Sequence, residues 1–306
     1  MASATSATVE VQRFESHLAG PIGGLSRLRQ SLLFAELSLL SYYDEDVVHD
    51  VAGQIGFSKT RFFDRNGAQA YVLANANDCV VACRGTEPTE WNDIKADINA
   101  GTVVAETVGR VHRGFKREVD DLWPALEATL AGVTAPTWFT GHSLGGAMAT
   151  ICAGRCELSA ISASPMALFT YGSPRVGNRR YINYVNINHF RWVNNNDMVT
   201  RVPPTWLGYR HCGREIYLDY LGRIRQLHGW QRLRDRLRGL LAGLERFRID
   251  YFADHSIVRY VDHIGAALRR EEVAHARHQS LIRPRRRAAR HGGITQAPYQ
   301  QSGRAA

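Results

Sequence analysis

Residues 137–149, TWFTGHSLGGAMA, constrain the fold more than any other stretch of the chain. An apolar run of strand type ends in Gly141-His142-Ser143-Leu144-Gly145, and small helix-forming residues follow at once. A Gly-x-Ser-x-Gly pattern in this setting describes a strand that turns abruptly into a helix. The turning residue takes a strained backbone, and the chain passes so close to itself that the positions two before and two after tolerate only small side chains. Such a turn lifts the serine oxygen above the carboxyl edge of a sheet and directs the free N–H groups of the helix toward it. A Gly-rich turn in some other α/β protein satisfies the same five positions, so Ser143 is a nucleophile candidate only in company with suitable partners.

The rest of the chain supplies a sheet for that turn to end. From residue 137 onward, strand patterns (137–141, 167–171, 189–194) alternate with helical ones (144–157, 178–185). This order argues for crossover connections and a central, mostly parallel sheet flanked by helices, an α/β fold. Upstream, Leu28, Leu32, Leu33, Leu37 and Leu40 recur at helical spacing within 25–42, and RFFDRNGAQAYVLANANDCVVACRG reads as a β-meander with an Asn-Gly turn. A second helix is expected over 114–131, a further strand over 209–218 and another helix over 256–268. Residues 87–111 show no single period and form a candidate mobile flap. The expected organisation is a flexible N-terminus (1–20), one domain (21–282) and a basic, disordered tail (283–306) too poor in apolar residues to pack.

The formal charge of +9 is unevenly placed: residues 1–220 carry 20 Lys/Arg against 22 Asp/Glu, whereas 221–306 carry 18 against 7. All of the excess is C-terminal, and in HGWQRLRDRLRGLLAGLERFRI (228–249) Trp230, Leu233, Leu237, Leu240, Leu241, Leu244 and Phe247 share one helical stripe among arginines. Ordinary packing of that stripe on the domain with arginines in solvent is one reading; peripheral contact with a lipid surface is the other. No aromatic platform or nucleic-acid-binding motif accompanies the charge, so no specific nucleic acid is expected. The five cysteines (Cys79, Cys83, Cys152, Cys156, Cys212) have spacings that suggest neither a disulfide framework nor a zinc site, and buried apolar roles are expected for them. The first residues lack a basic n-region followed by an apolar h-region, so a Sec signal is not expected, and no stretch of about 18 uninterrupted apolar residues occurs, since even SLLFAELSLLSYY contains Glu36. A cytoplasmic or peripheral-membrane location is therefore expected, with non-classical export as the alternative.

A serine hydroxyl needs a base to attack at neutral pH, normally a histidine, and that base needs an orienting acid. In this type of fold they follow the serine as acid and then histidine. Between Ser143 and residue 214 the acids are Glu157, inside a predicted helix, and Asp197, just past the strand HFRWVNNN. Asp197 is the better placed; a turn-forming aspartate is the alternative. Among the downstream histidines, His255 and His263 remain once those in predicted strand, basic-helix and tail positions are set aside. His255 in YFADHSIVRY is preferred because it occupies a loop-to-helix junction suited to reaching a pocket, the alternative role being a helix cap. An oxyanion hole needs donors where negative charge develops, each worth about 3–4 kcal/mol of barrier. The N–H of Leu144 is one candidate. Thr86, directly after the strand ending in Gly85, offers a second N–H and a hydroxyl.

Together these residues resemble the class 3 lipases, the fungal-type α/β-hydrolase lipases. The resemblance lies in VVACRGTEPTEWNDIKADI, VHRGF, FTGHSLGGAMA, FTYGSPRVGN, NNNDMVTRVPP and ADHSIVRYV, and runs from about Gln30 to Ile264. It implies a serine ester hydrolase acting on acylglycerols or related lipids, with Ser143 as nucleophile, Asp197 as acid, His255 as base, and Thr86 with Leu144 as oxyanion hole. It further implies a lid at about 87–110 that includes Trp91 and Asp93, and a chemistry that needs no metal or organic cofactor. The same site suits phospholipase A-type or short-chain esterase activity, and a non-catalytic lipid- or partner-binding protein is the reading from another class. Residues 221–250 form a basic insertion between acid and histidine.

Overall fold

The computed structural model describes residues 14–85, 101–106, 108–245 and 253–282. The chain divides after Arg269 into two units. The first holds all the described strands; the second begins within the last described helix, whose described residues there are exposed.

The first unit is built on an eight-stranded sheet in the order β1-β2-β3-β6-β7-β9-β11-β12. The strands are β1 Lys59–Arg65, β2 Ala68–Ala74, β3 Cys79–Cys83, β6 Thr137–His142, β7 Pro165–Tyr171, β9 His189–Asn194, β11 Arg214–Leu218 and β12 Ile224–Arg225. β1, β2 and β3 form the antiparallel meander expected from the Asn66-Gly67 turn. From β3 through β6, β7, β9 and β11 every pairing is parallel, and β12 closes the edge antiparallel. β3 and β6 are buried at every residue. Their continuous apolar runs are what a strand covered on both faces requires.

Helices cover both faces. On one side α3 (Arg113–Leu130) and α4 (Leu144–Leu158) bury Val119, Leu122, Leu126, Met148 and Cys152 against β3 and β6. On the other, α1 (Arg27–Leu40), α2 (Glu45–Ile55) and the start of α7 (Ile257–Ile282) pack with Trp138, Phe169 and Tyr171. α1 is buried almost all round, so its polar residues are paired: Ser38 Oγ lies 2.8 Å from Thr140 Oγ1, and Glu36 accepts the N–H groups of Glu15 (2.8 Å) and Ser16 (3.1 Å). Burial pushes the Glu36 carboxyl up to about 7. Cys79, Cys83, Cys152 and Cys156 are buried, Cys212 is half-buried and all five are free thiols.

Several elements differ from the sequence expectation. α2 was not anticipated, although Val48, Val51, Ala52 and Ile55 form its buried stripe and Gly56 ends it at φ +118°. Thr102–Val104 (β4) and Arg110–His112 (β5) pair within a second, four-stranded sheet, order β10-β8-β5-β4, so the C-terminal part of the expected lid is strand, turned by Gly109 at φ +87°. Residues 86–100, with Trp91 and Asp93, lie outside the described residues. The single strand expected over 209–218 is two: Gly213, at φ +73°, separates β10 (Tyr209–Arg210) on β8 (Gly177–Asn178) from β11 on β9. The basic segment forms helix α6, Gly229–Glu245, and α7 runs past Leu268 to Ile282. α5 is Arg179–Tyr184. Among the described residues no helix is long and apolar enough to cross a membrane.

Candidate active site

β6 ends at His142, and Ser143 turns the chain into α4 at φ +57°, ψ −128°, a backbone state that costs about 1–3 kcal/mol in a non-glycine residue. The Ser143 N–H donates to Tyr171 O at 3.0 Å on the neighbouring strand, which holds the turn at the sheet edge. The flanking glycines answer the close approach: a Cβ on Gly141 would meet the Gly145 carbonyl, and one on Gly145 would meet that of Cys83. The spacing in the sequence is thus a packing requirement between β6, α4 and β3.

Two other elements deliver the partners. Asp197 follows β9 in a turn closed by its N–H to Asn194 O (2.8 Å), and His255 ends a 3-10 turn, Ala253–His255, just before α7. The His255 Nε2 lies 2.8 Å from Ser143 Oγ, and its Nδ1 lies 3.0 Å from both Oδ1 and Oδ2 of Asp197. All three residues are buried. A carboxylate only accepts, so the imidazole donates from Nδ1 and leaves the Nε2 lone pair to accept the serine proton. The Asp197 carboxylate also accepts from Tyr260 OH (Oδ2, 2.7 Å) and Val199 N–H (Oδ1, 2.9 Å). Tyr260 in turn accepts the Asn194 N–H at 2.9 Å, and burial together with the adjacent carboxylate pushes its phenol well above the usual range.

Four residues that the sequence reading left without a role complete the arrangement. His142, beside the serine, donates from Nε2 to the backbone carbonyl of His255 at 2.6 Å. Because that carbonyl can only accept, the His142 Nδ1 is the acceptor for Tyr42 OH, 2.9 Å away. Burial, and then the neighbouring His255, hold His142 well below the usual histidine range, which keeps this tautomer neutral. Tyr260 is the third. The fourth is Gly172, which follows β7 at φ +60°; a Cβ there would sit 2.6 Å from Asp197 Oδ2 and 2.9 Å from His255 Nδ1. His142 and Gly172 stand inside the motifs GHSLGG and FTYGSP, so the signal was present as spacing but its geometry was not.

Leu144 opens α4, so its N–H is among the first four that intrahelical bonding leaves unpaired, and it adjoins the serine. Thr86, the other expected donor, lies outside the described residues. Glu157, the rejected acid, falls in α4 as expected, and His211 sits between β10 and β11 with its Nε2 2.7 Å from Thr200 O. Among the described residues no group of three or more His, Cys, Asp or Glu is arranged to hold a metal ion.

A buried serine, a histidine aimed at it and an aspartate behind the histidine, on a parallel sheet edge, form an arrangement capable of nucleophilic attack on a carbonyl. Residues 80–206, which include Ser143 and Asp197, match the family described as lipase (class 3). This segment of the chain is similar to the class 3 lipases. The secreted mono- and diacylglycerol lipase 1 of Fusarium solani is 34% identical over 168 residues, covering 51% of this chain and 49% of that protein. The solved structure of the Rhizomucor miehei triacylglyceride lipase is 26% identical with a TM-score of 0.55, covering 64% of this chain and 82% of that one. A second lipase structure, whose report describes a serine protease triad as the catalytic centre of a triacylglycerol lipase, is 26% identical with a TM-score of 0.51, covering 60% of this chain and 77% of that one. The chain spans about half the length of the Fusarium relative it matches. The solved lipases support an α/β assignment with a mixed, mostly parallel sheet.

Proposed function

We propose that this chain is a class 3 lipase, a carboxylic ester hydrolase that cleaves lipid esters of the acylglycerol type through Ser143, His255 and Asp197. The observation that carries the reading is the continuous path from Asp197 through His255 Nδ1 and Nε2 to Ser143 Oγ, at 3.0 and 2.8 Å. His255 Nε2 takes the serine proton as Oγ attacks the ester carbonyl carbon, and Asp197 stabilises the imidazolium that forms. The carbonyl π-electrons move to oxygen, and the N–H of Leu144, with Thr86, receives that charge. The tetrahedral species collapses, the ester C–O bond breaks, and the alcohol leaves with the proton from His255. Water, deprotonated by the same histidine, then attacks the acyl-enzyme; the carboxylic acid departs and Ser143 regains its proton.

The Tyr42–His142–His255 carbonyl chain and the Tyr260 bond to Asp197 support this role, because each fixes one member of the set by a hydrogen bond rather than by packing alone. A protein that only binds lipid has no need of all three residues in bonding register. A lid over the part of 87–110 that precedes β4, with Trp91 and Asp93, belongs to the same proposal as the cover of the acyl groove. Ser143→Ala tests the reading: hydrolysis of a short p-nitrophenyl ester should fall to background while the melting temperature stays at the wild-type value. A Ser143→Ala protein as active as wild type would refute the nucleophile.

A further inference from the structure

Helix α6 is docked with the opposite polarity to an ordinary surface helix. Between Trp230 and Arg238, the polar residues Arg232, Asp235 and Arg236 face the domain. Asp235 is buried and accepts from Tyr217 OH at 2.9 Å and from Tyr220 N–H at 3.3 Å. Arg232 pairs with Glu215 and stacks its guanidinium over the Tyr217 ring, while the Arg236 carbonyl accepts from Asn196 Nδ2 at 3.1 Å. Residues 232, 235 and 236 share one face of the helix. On the far side stand Trp230, Leu233 and Leu237, at spacings of three and four, with 80%, 46% and 50% of their surface exposed. Of the two sequence readings of this stripe, packing on the domain is therefore not what its described residues do.

Exposing three large apolar side chains in a row while burying an aspartate is costly in water, and it is stable at a boundary where one side is apolar. The charges around the stripe say which boundary. From 221 to 238 every exposed ionisable side chain is an arginine or histidine: Arg223, Arg225, His228, Arg234 and Arg238. Arg234 and Arg238 lie beside the stripe at one turn's spacing. The β11–β12 hairpin, tied to α6 through the Tyr220–Asp235 bond, adds exposed Leu221 and Ile224. A second copy of the same face would bring arginine against arginine, whereas acyl chains with anionic headgroups complement both halves of the pattern.

We propose that the outward face of α6, led by Trp230, Leu233 and Leu237 and flanked by Arg234 and Arg238, is a docking surface for an anionic lipid interface. It rests on the lipid-ester reading for its occupant and deepens it by saying how the site meets its substrate. The connection to the chemistry is short. Asn196, whose side chain holds the Arg236 carbonyl, also takes Asp254 Oδ2 on its N–H at 3.3 Å and immediately precedes Asp197, while Asp254 immediately precedes His255. The docked helix is thus joined to both loops that carry the acid and the base.

Sedimentation with sucrose-loaded vesicles tests this on the full chain carrying Ser143→Ala, so that no lipid is consumed. Vesicles of phosphatidylglycerol and phosphatidylcholine in equal parts should bind the protein at low salt, pure phosphatidylcholine vesicles far less, and high salt should release it. Trp230→Ser with Leu233→Ser and Leu237→Ser should lower partitioning by at least about tenfold, and Arg234→Glu with Arg238→Glu by a similar or larger factor. Both variants should keep the wild-type circular dichroism and melting temperature, because the replaced side chains face outward. Equal binding to neutral and anionic vesicles at both salts, undiminished binding by the triple-serine variant, or loss of binding only when residues 283–306 are removed would each overturn the proposal. So would a wild-type protein that runs as a dimer in light scattering and a triple-serine variant that runs as a monomer, since the face would then seat a second copy. Vesicle binding without any ester hydrolysis by the wild type retires the hydrolase and leaves the docking surface standing; hydrolysis without selective binding does the reverse.

Discussion

Alanine at Gly172 should disable the site without touching any residue that contacts an ester. The added Cβ would stand 2.6 Å from Asp197 Oδ2, and reaching ordinary contact at 3.4 Å requires the carboxylate to retreat by about 0.8 Å (3.4 − 2.6). His255 Nδ1, 2.9 Å from the same Cβ, is pressed in the same way. A misplacement near 1 Å in a catalytic group costs on the order of 10²-fold in rate, so kcat should fall about 100-fold, equivalent to about 3 kcal/mol of barrier. KM for a small ester should change little, because the loss arises in proton transfer rather than in binding. The positive φ of +60° adds a fold cost of about 1–2 kcal/mol for any side chain. Gly208→Ala separates the two effects: its φ is +88°, yet nothing lies within 4 Å of the added Cβ. Steady-state hydrolysis of p-nitrophenyl butyrate and thermal melts on both variants provide the comparison. Wild-type kcat in Gly172→Ala, or an equal loss in Gly208→Ala, would refute the steric argument.

Two further outcomes follow from buried hydrogen bonds. Tyr42→Phe leaves the His142 Nδ1 acceptor buried without its donor and should cost about 1–3 kcal/mol of stability; kcat should drop several-fold at unchanged KM as the His255 backbone loosens, and unchanged kcat would separate His142 from catalysis. Glu36 links stability to pH. Its carboxyl titrates at about 7 in the folded chain against 4.5 as the reference, so the native state holds the extra proton between those values. The stability is fully present below about pH 4.5 and falls as pH rises through 7, by about 3 kcal/mol. Chemical denaturation of wild type and Glu36→Gln from pH 4.5 to 7.5 should show the decline in wild type only; parallel curves would place Glu36 outside the linkage.

Much of the fold was legible because it depends on local pattern. The β-meander, the strand-helix alternation after Thr137 and the glycine spacing around Ser143 are short-range features, and the structure contains each of them. Where the expectation departed, the cause was context. Gly213 looked compatible with an alternating strand, yet its φ of +73° ends one pairing and starts another. α2 is short and polar enough that its four buried apolar residues did not stand out from the loop around Asp44. The basic helix was legible as amphipathic but not in orientation, because burying Asp235 depends on Tyr217 and Tyr220, which lie in a hairpin whose position no periodicity reports. At the site, residue type and chain order pointed to Ser143, Asp197 and His255. Gly172, Tyr42 and Tyr260 were invisible as partners since they approach from 25 to 100 residues away in the chain or act by what they lack.

Covalent capture of the nucleophile tests the central claim most directly. Treatment with a fluorophosphonate ester should extinguish hydrolysis in step with the addition of one phosphonyl group, and peptide mass spectrometry should place that group on Ser143. Asp197→Ala and His255→Ala proteins should label far more slowly while melting as folded chains. Complete loss of activity with the adduct on another residue, or full labelling of Ser143 at the same rate in His255→Ala, would contradict the mechanism.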